Sequence, residues 1–388
     1  MIVNTKRELI LVGPLPPPYH GQSVSFGMLV EQMAERIDTK VINLTGPNMM
    51  GNGGKATIGR AKEFILIFYN FLIELYKTKD AIIYITIAQS WHGFLRDLYF
   101  IWIGRVFGNS IVVHLKGGNY DNFYSNLNCI QKFFVRVTLR KVKKILVLGK
   151  SLVHMFDFDS KLKAKVHVVE NGLPYKQKNT NLVALNKTRE KGDFRVLFLS
   201  NMIESKGYLD VIKAASILVN ENNLRDIKFI FAGKFLTNTD DVTISSIEQA
   251  KENFFRIVND LSLSENVEYR GVVHGDEKND LFSKASLFIL PTNYNNEGQP
   301  VSIIEAISFG LPIISTQYRA IPDMLTEGIN GFFVDYSAPD QIANQILKLH
   351  QDKALRSKFS RNSFDIFHSK FTCHHHIDRI KKHLGVSR

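Results

Sequence analysis

The stretch EGQPVSIIEA, residues 297–306, decides how the surrounding chain is read. An apolar run, 287–290, arrives just before it, and Phe309, Gly310, Leu311 and Pro312 close it. Pro300 suits the first turn of a helix, so the segment reads as strand, short loop, helix. Val301 and Glu305 are four apart and share a helix face. Side chains tilt toward the helix N-terminus, so Glu305 leans back toward the loop carrying Glu297. Both carboxylates then border one helix start. Helix-end electrostatics alone gives Glu297 only ~0.3–1 kcal/mol. Glu305, flanked by Ile303, Ile304, Ala306 and Ile307, needs a partner or a ligand hydroxyl once buried.

Strand-like apolar runs of the same kind recur along the chain at 9–12, 41–44, 81–87, 111–115, 144–148 and 166–169. A second series follows at 195–199, 228–232, 267–269, 287–290, 312–315 and 332–334. Runs apolar along their whole length mark strands buried on both faces. Alternation with helical stretches argues for parallel sheets of about six strands each. The expected class is α/β, with two doubly wound, Rossmann-like domains facing across a cleft. The polar, Asn- and Lys-rich stretch 175–193 marks the break. The expected domains are 1–175 and 194–365, with a linker at 176–193 and a C-terminal helix in 366–388 packing back toward the first domain.

The chain has 388 residues, 45% hydrophobic and 22% charged, which excludes a disordered protein. Its two cysteines, Cys129 and Cys373, suit a reducing compartment and give no disulfide framework. Neither a signal peptide nor a membrane-spanning run is evident; residues 64–76 are interrupted by Asn70 and Glu74. Residues 1–185 hold 24 Lys and Arg against 12 Asp and Glu, and residues 186–388 hold 25 against 25, so the whole net charge of +12 sits in the first half. Such asymmetry calls for an anionic partner.

Four other strand-to-helix junctions carry unusual chemistry. In residues 13–23, GPLPPPYHGQS, prolines stiffen a loop and Gly21 admits close approach to a helix start. In 112–122, VVHLKGGNYDN, His114 and Lys116 precede two glycines at a strand end. In 199–215, Lys206-Gly207 opens a helix directly after a strand, a strong anion site. Lys234, in 229–235, follows another strand end.

These residues resemble the retaining glycosyltransferases of family 4, group 1 glycosyl transferases of the GT-B fold. The resemblance rests on the block 291–316, with its E-x7-E pattern and trailing Gly-Leu-Pro. It also takes in the Gly13–Gly21 loop, His114, VENGLP at 169–174, SNMIESKG at 200–207 and RAIPDML at 319–325. It implies that Glu297 lies at the transferred sugar, with Gly298 and Gln299 fixing its hydroxyls. Glu305 takes the ribose, Val301 and Ser302 the diphosphate, and Gly271, Val272 and Val273 lie where the base is held. Lys206 neutralises the leaving diphosphate, His114 faces the sugar, and Gly21 approaches donor and acceptor. The family's usual arginine is replaced by Asn201, which leaves Lys234 as a candidate substitute cation.

The resemblance implies a hexosyltransferase moving a sugar from a UDP- or GDP-sugar to a saccharide or lipid-linked acceptor. The setting is surface polysaccharide or glycolipid assembly. No metal is called for, because cations and helix N–H groups can stabilise the leaving diphosphate; Asp157 and Asp159, of D-x-D form, read as surface. Aromatic and basic residues in 64–79, 88–108 and 132–144 suit an anionic membrane surface, placing the chain in the cytoplasm at the inner face of the membrane. The alternatives are a sugar-nucleotide epimerase or phosphorylase, a non-catalytic sugar-nucleotide binder, and a nucleic-acid-binding protein. Nucleic acid is not an expected partner, since the basic residues form no recognition motif.

Overall fold

The computed structural model describes residues 8–18, 21–34, 38–46, 58–78, 80–173, 182–190, 192–238 and 241–386. The chain divides into two compact units, Met1–Tyr175 with Thr372–Arg388, and Lys176–Phe371.

The first unit runs β1 (Leu9–Gly13), α1 (Gly21–Ala34), β2 (Thr39–Asn43), α2 (Ile58–Lys77), β3 (Ile82–Ile87), α3 (Trp91–Val106), β4 (Ser110–Leu115), α4 (Tyr120–Ser125), α5 (Cys129–Arg140), β5 (Lys144–Val147), α6 (Ser160–Lys163) and β6 (Val166–Val168). The strands form one parallel sheet in the order β2-β1-β3-β4-β5-β6. β1 and β3 are buried at every position, as strands covered by helices on both faces must be.

The second unit runs α7 (Leu182–Arg189), β7 (Phe194–Leu199), α8 (Tyr208–Ser216), β8 (Ile227–Ala232), α9 (Ile247–Asp260), β9 (Val267–Tyr269), α10 (Gly275–Lys284), β10 (Leu287–Leu290), α11 (Val301–Ser308), β11 (Ile313–Ser315), β12 (Gly331–Phe333), α12 (Pro339–Gln351) and α13 (Lys353–Lys370). Its sheet is also parallel, in the order β12-β11-β10-β7-β8-β9. The expected α/β class and the two six-stranded sheets are therefore the fold found.

Two boundaries differ from the sequence reading. The stretch expected as a linker, 176–193, contains α7; its residues 176–181 and 191 lie outside the described residues, as does Pro174 of VENGLP. α7 is held to the second unit by Arg189, whose guanidinium donates to the carbonyls of Ser283 (3.1 Å), Phe282 (3.2 Å) and Phe309 (2.8 Å). Burial brings that guanidinium down to about 9. The second difference is at 366, which falls inside α13. The chain changes units at Thr372, which caps α14 (Cys373–Leu384) by accepting from the His375 N–H at 3.3 Å.

α14 completes the first unit. Ile377, Ile380 and Leu384 join a buried cluster with Leu9, Leu11, Phe26 and Leu146. The Lys144 ammonium donates to the His383 carbonyl at 2.9 Å near the helix C-terminus, and Arg379 pairs with Glu170 at 3.2 Å. Ile380→Ala should therefore cost the first unit about 2–4 kcal/mol. Both tryptophans, Trp91 and Trp102, lie in that unit, so urea unfolding followed by tryptophan fluorescence reads it selectively.

Candidate active site

β7 and β10 are neighbours, and the order of connection reverses between them. Open α/β sheets bind ligands outside the C-terminal ends of strands at such a switch. Lys206 follows β7 and Glu297 follows β10, so the topology delivers both to one place.

Local geometry then fixes them. A single 3-10 turn, Glu204–Lys206, ends at Gly207 with φ 81°. A β-carbon there would lie 2.3 Å from the Pro291 carbonyl oxygen, so both the backbone angle and the close approach require glycine. The exit of β10 packs against this turn: the Asn293 N–H donates to the Ser205 carbonyl at 2.9 Å. The Thr292 hydroxyl lies 3.3 Å from the same oxygen. The buried Lys206 ammonium donates to Glu297 Oε2 and stands 4.5 Å from the centre of the Tyr294 ring.

A second buried carboxylate is also paired. Glu305, in α11, accepts at Oε1 from the Lys278 ammonium of α10 at 2.6 Å. The sequence reading missed Lys278, because its partner lies 27 residues away in another helix. Between the two carboxylates, Gly298, Gln299 and Pro300 are buried, while Val301 and Ser302 are partly exposed. The Pro300 carbonyl accepts from Ile303 and Ile304 at 3.2 and 3.4 Å. The N–H groups of Val301 and Ser302 precede that ladder, at the positive end of α11.

Gly271, with φ 66°, accepts from the Gly233 N–H through its carbonyl at 2.7 Å, which ties the 271–273 segment to the exit of β8. Val272 is exposed and Val273 buried. Asn201 and Lys234 are both exposed. The Lys234 carbonyl accepts from the N–H of Met202 at 2.8 Å, so Lys234 lies beside the position where the cation is missing.

In the first unit, Gly21 is the exposed first residue of α1; Tyr19 and His20 lie outside the described residues. The His114 side chain is fully buried, one residue before the end of β4. Nδ1 lies 2.6 Å from the Tyr84 hydroxyl, and burial, with Lys116 nearby, pushes the imidazole well below its usual range. β4 runs on to Leu115, so the first polar side chain beyond its end is Lys116. The Lys116 ammonium donates to Ser25 Oγ and Asn171 Oδ1, both at 3.1 Å. Burial lowers it to about 7. Asp159, read as surface, is buried as well: it caps α6 through the Lys161 N–H at 3.0 Å and takes the Arg140 guanidinium at 2.7 Å. Asp157 pairs with Lys163 at 2.9 Å. Both aspartates thus have structural partners.

Residues 184–365 match the family model described as Glycosyl transferases group 1. This segment belongs to the group 1 glycosyl transferases. It contains Lys206, Glu297 and Glu305. A poly(glycerol-phosphate) alpha-glucosyltransferase of Bacillus subtilis is 25% identical over 181 residues, 46% of this chain and 24% of that protein. The capsular polysaccharide biosynthesis glycosyltransferase CapM of Staphylococcus aureus is 22% identical over 254 residues, covering 62% of each chain. This chain thus spans 24% to 62% of the length of those two relatives. The solved structure of Anabaena Alr3699/HepE in complex with UDP has a TM-score of 0.69 over 98% of this chain and 100% of that one, at 15% identity. That likeness establishes the GT-B fold.

Removing one member of a buried pair leaves the other charge unsatisfied, at a cost of roughly 1–3 kcal/mol. Lys278→Met should lower the stability of the second unit by that amount. The double variant Lys278→Met with Glu305→Gln should recover most of it, as a chemical-denaturation double-mutant cycle would show.

Proposed function

We propose that the chain is a retaining hexosyltransferase that moves a sugar from a nucleotide-diphosphate sugar, UDP- or GDP-linked, to a saccharide or lipid-linked acceptor. The observation that carries this reading is the buried Lys206–Glu297 contact at the β7/β10 switch, beside the start of α11. A transferase of this type breaks the bond between sugar and diphosphate, and negative charge grows on the departing nucleotide. A fixed ammonium and oriented helix N–H groups stabilise charge that develops there. In the protein alone, Lys206 and Glu297 neutralise each other. On this reading a bound diphosphate competes for Lys206, which frees Glu297 for sugar hydroxyls. Glu305, steadied by Lys278, serves the ribose. Gly271, Val272 and Val273 flank the base, and Gly298 and Gln299 the sugar. Retention of configuration and a role in surface polysaccharide or glycolipid assembly follow from the family resemblance. The names of the related proteins, a poly(glycerol-phosphate) glucosyltransferase and a capsular polysaccharide enzyme, support the second.

Lys206→Ala should lower turnover roughly 10²–10³-fold, the scale for losing one preorganised charge partner. Leaving-group stabilisation here is assigned to Lys206 and α11 rather than to a metal ion, so turnover should persist in excess EDTA. Calorimetric titration with UDP-, GDP-, ADP- and CMP-sugars tests the donor class: saturable binding of a UDP- or GDP-sugar is expected, and binding of none contradicts the proposal.

A membrane-facing surface is part of the same reading. No helix among the described residues is long and apolar enough to cross a bilayer. On α2, however, Ile65, Leu66, Tyr69 and Tyr76 are 59–84% exposed. On α5, Ile130, Phe133 and Phe134 are exposed next to Lys132 and Arg136. Apolar side chains interleaved with cations suit the interface of an anionic bilayer, and fit a peripheral enzyme at the inner face of the cell membrane. Flotation with phosphatidylglycerol vesicles should retain the wild type and lose much of the Phe133→Ser, Phe134→Ser variant. Equal retention on neutral vesicles would contradict the charge argument.

A further inference from the structure

The C-terminal end of β4 holds a group of nitrogens with no acid among them in the described residues. Lys116 donates to two neutral oxygens, Ser25 Oγ on α1 and Asn171 Oδ1 just beyond β6. Behind it stand two fully buried imidazoles, His114 of β4 and His376 of α14, with ring centres 6.4 Å apart. Each uses one nitrogen: Nδ1 of His114 meets the Tyr84 hydroxyl, and Nδ1 of His376 meets the Glu170 carbonyl, both at 2.6 Å. Among the described residues, Nε2 of each is buried without a hydrogen-bond partner. The acidic group nearest in sequence, the Glu170 carboxylate, is engaged by Arg379 at 3.2 Å.

A stability role explains this group poorly. A partly buried ammonium held, among the described residues, only by neutral oxygens is costly, and burial lowers it to about 7. Two imidazoles with idle nitrogens beside it add further cost. An anion changes the balance, because it supplies the missing opposite charge for Lys116. The location fits a ligand too. Lys116 stands at the C-terminal end of a strand beside β3, and its bond to Ser25 ties it to the helix that Gly21 opens. Ligands gather at that end of open sheets.

We propose that the first unit recognises a phosphate ester on the acceptor, with Lys116 as the residue that pairs with it at the end of β4. This rests on the transferase reading and narrows its acceptor to an anionic class. The phosphate belongs either to a soluble glycosyl-acceptor phosphate or to a lipid head group; Lys116 recognises the chemistry the two share. Asn171 and Ser25 hold the ammonium in place, and His114 and His376 form the wall behind it.

The test uses glycerophosphoglycerol, a soluble phosphodiester, against the full-length chain. Calorimetry should show saturable binding to the wild type, and ¹⁵N imidazole resonances of His114 and His376 should move with occupancy. Lys116→Gln should weaken binding at least about tenfold, the scale of one charge-assisted hydrogen bond. Lys116→Arg should keep part of it. Asn171→Asp, which gives the ammonium a built-in carboxylate without changing shape, should abolish it and covers the case in which Lys116→Gln does not fold. UDP titration of the same samples reads the donor side separately, and should be unchanged in each variant. Lys116-dependent binding of phosphatidylglycerol vesicles but not of the soluble diester assigns the phosphate to lipid; the reverse assigns it to a soluble acceptor. No saturable binding of either probe, or equal binding by wild type and Asn171→Asp, overturns the proposal while leaving the UDP result to stand by itself.

Discussion

The contact between Lys206 and Glu297 depends on one residue that carries no charge. Gly207 must adopt φ 81°, and its missing β-carbon lets the chain pass against the Pro291 carbonyl. That close passage joins the exits of β7 and β10, sets Lys206 beside Glu297 and Tyr294, and aligns the start of α11 behind them. Two buried opposite charges in one crevice are weak evidence for stability, since desolvation offsets much of their attraction. Their value is electrostatic readiness. On the proposed reading, an ammonium already stripped of most of its water, beside helix N–H groups, stabilises a departing diphosphate without reorganising at the moment of reaction.

Much of the frame is legible in residue order, because it rests on local signals. Apolar, β-branched runs announce the strands, and the sheet order then places the loops after β7 and β10 together. What stays hidden depends on partners distant in sequence. Lys278 sits in a charged run on α10 that reads as solvent-facing until α11 brings Glu305 to it. His114 lies within β4 and Lys116 just beyond it, and only the point at which the strand ends separates the buried side chain from the partly exposed one. α7 hides in a polar stretch, since its anchor, Arg189, bonds to carbonyls of helix ends that no sequence pattern displays. Asp159 looks like half of a D-x-D pair, yet its backbone context makes it a helix cap.

The charge asymmetry also divides once structure is considered. Part of the basic excess of the first half works within the fold. Lys165 donates to the Arg140 and Val142 carbonyls near the end of α5 at 2.6 and 2.8 Å, and Lys144 does the same near the end of α14. Cations at helix C-termini are favourable there. Lys132 does likewise at the end of α4, donating to the Ser125 carbonyl at 2.8 Å; the remainder includes Arg136 among the exposed aromatics of α5, and Lys116 at the sheet end. Internal caps, the proposed lipid-facing face and the proposed acceptor contact thus share one compositional signal.

On the proposed reading, a nucleotide diphosphate rests on the start of α11 between Glu297 and Glu305. Residue-resolved amide hydrogen exchange with and without saturating UDP tests it most directly. Slower exchange is expected at the amides of Val301 and Ser302, with the slowing weakened in Lys206→Ala. Unchanged exchange at both amides under saturating UDP, with protection elsewhere in the chain, would contradict it.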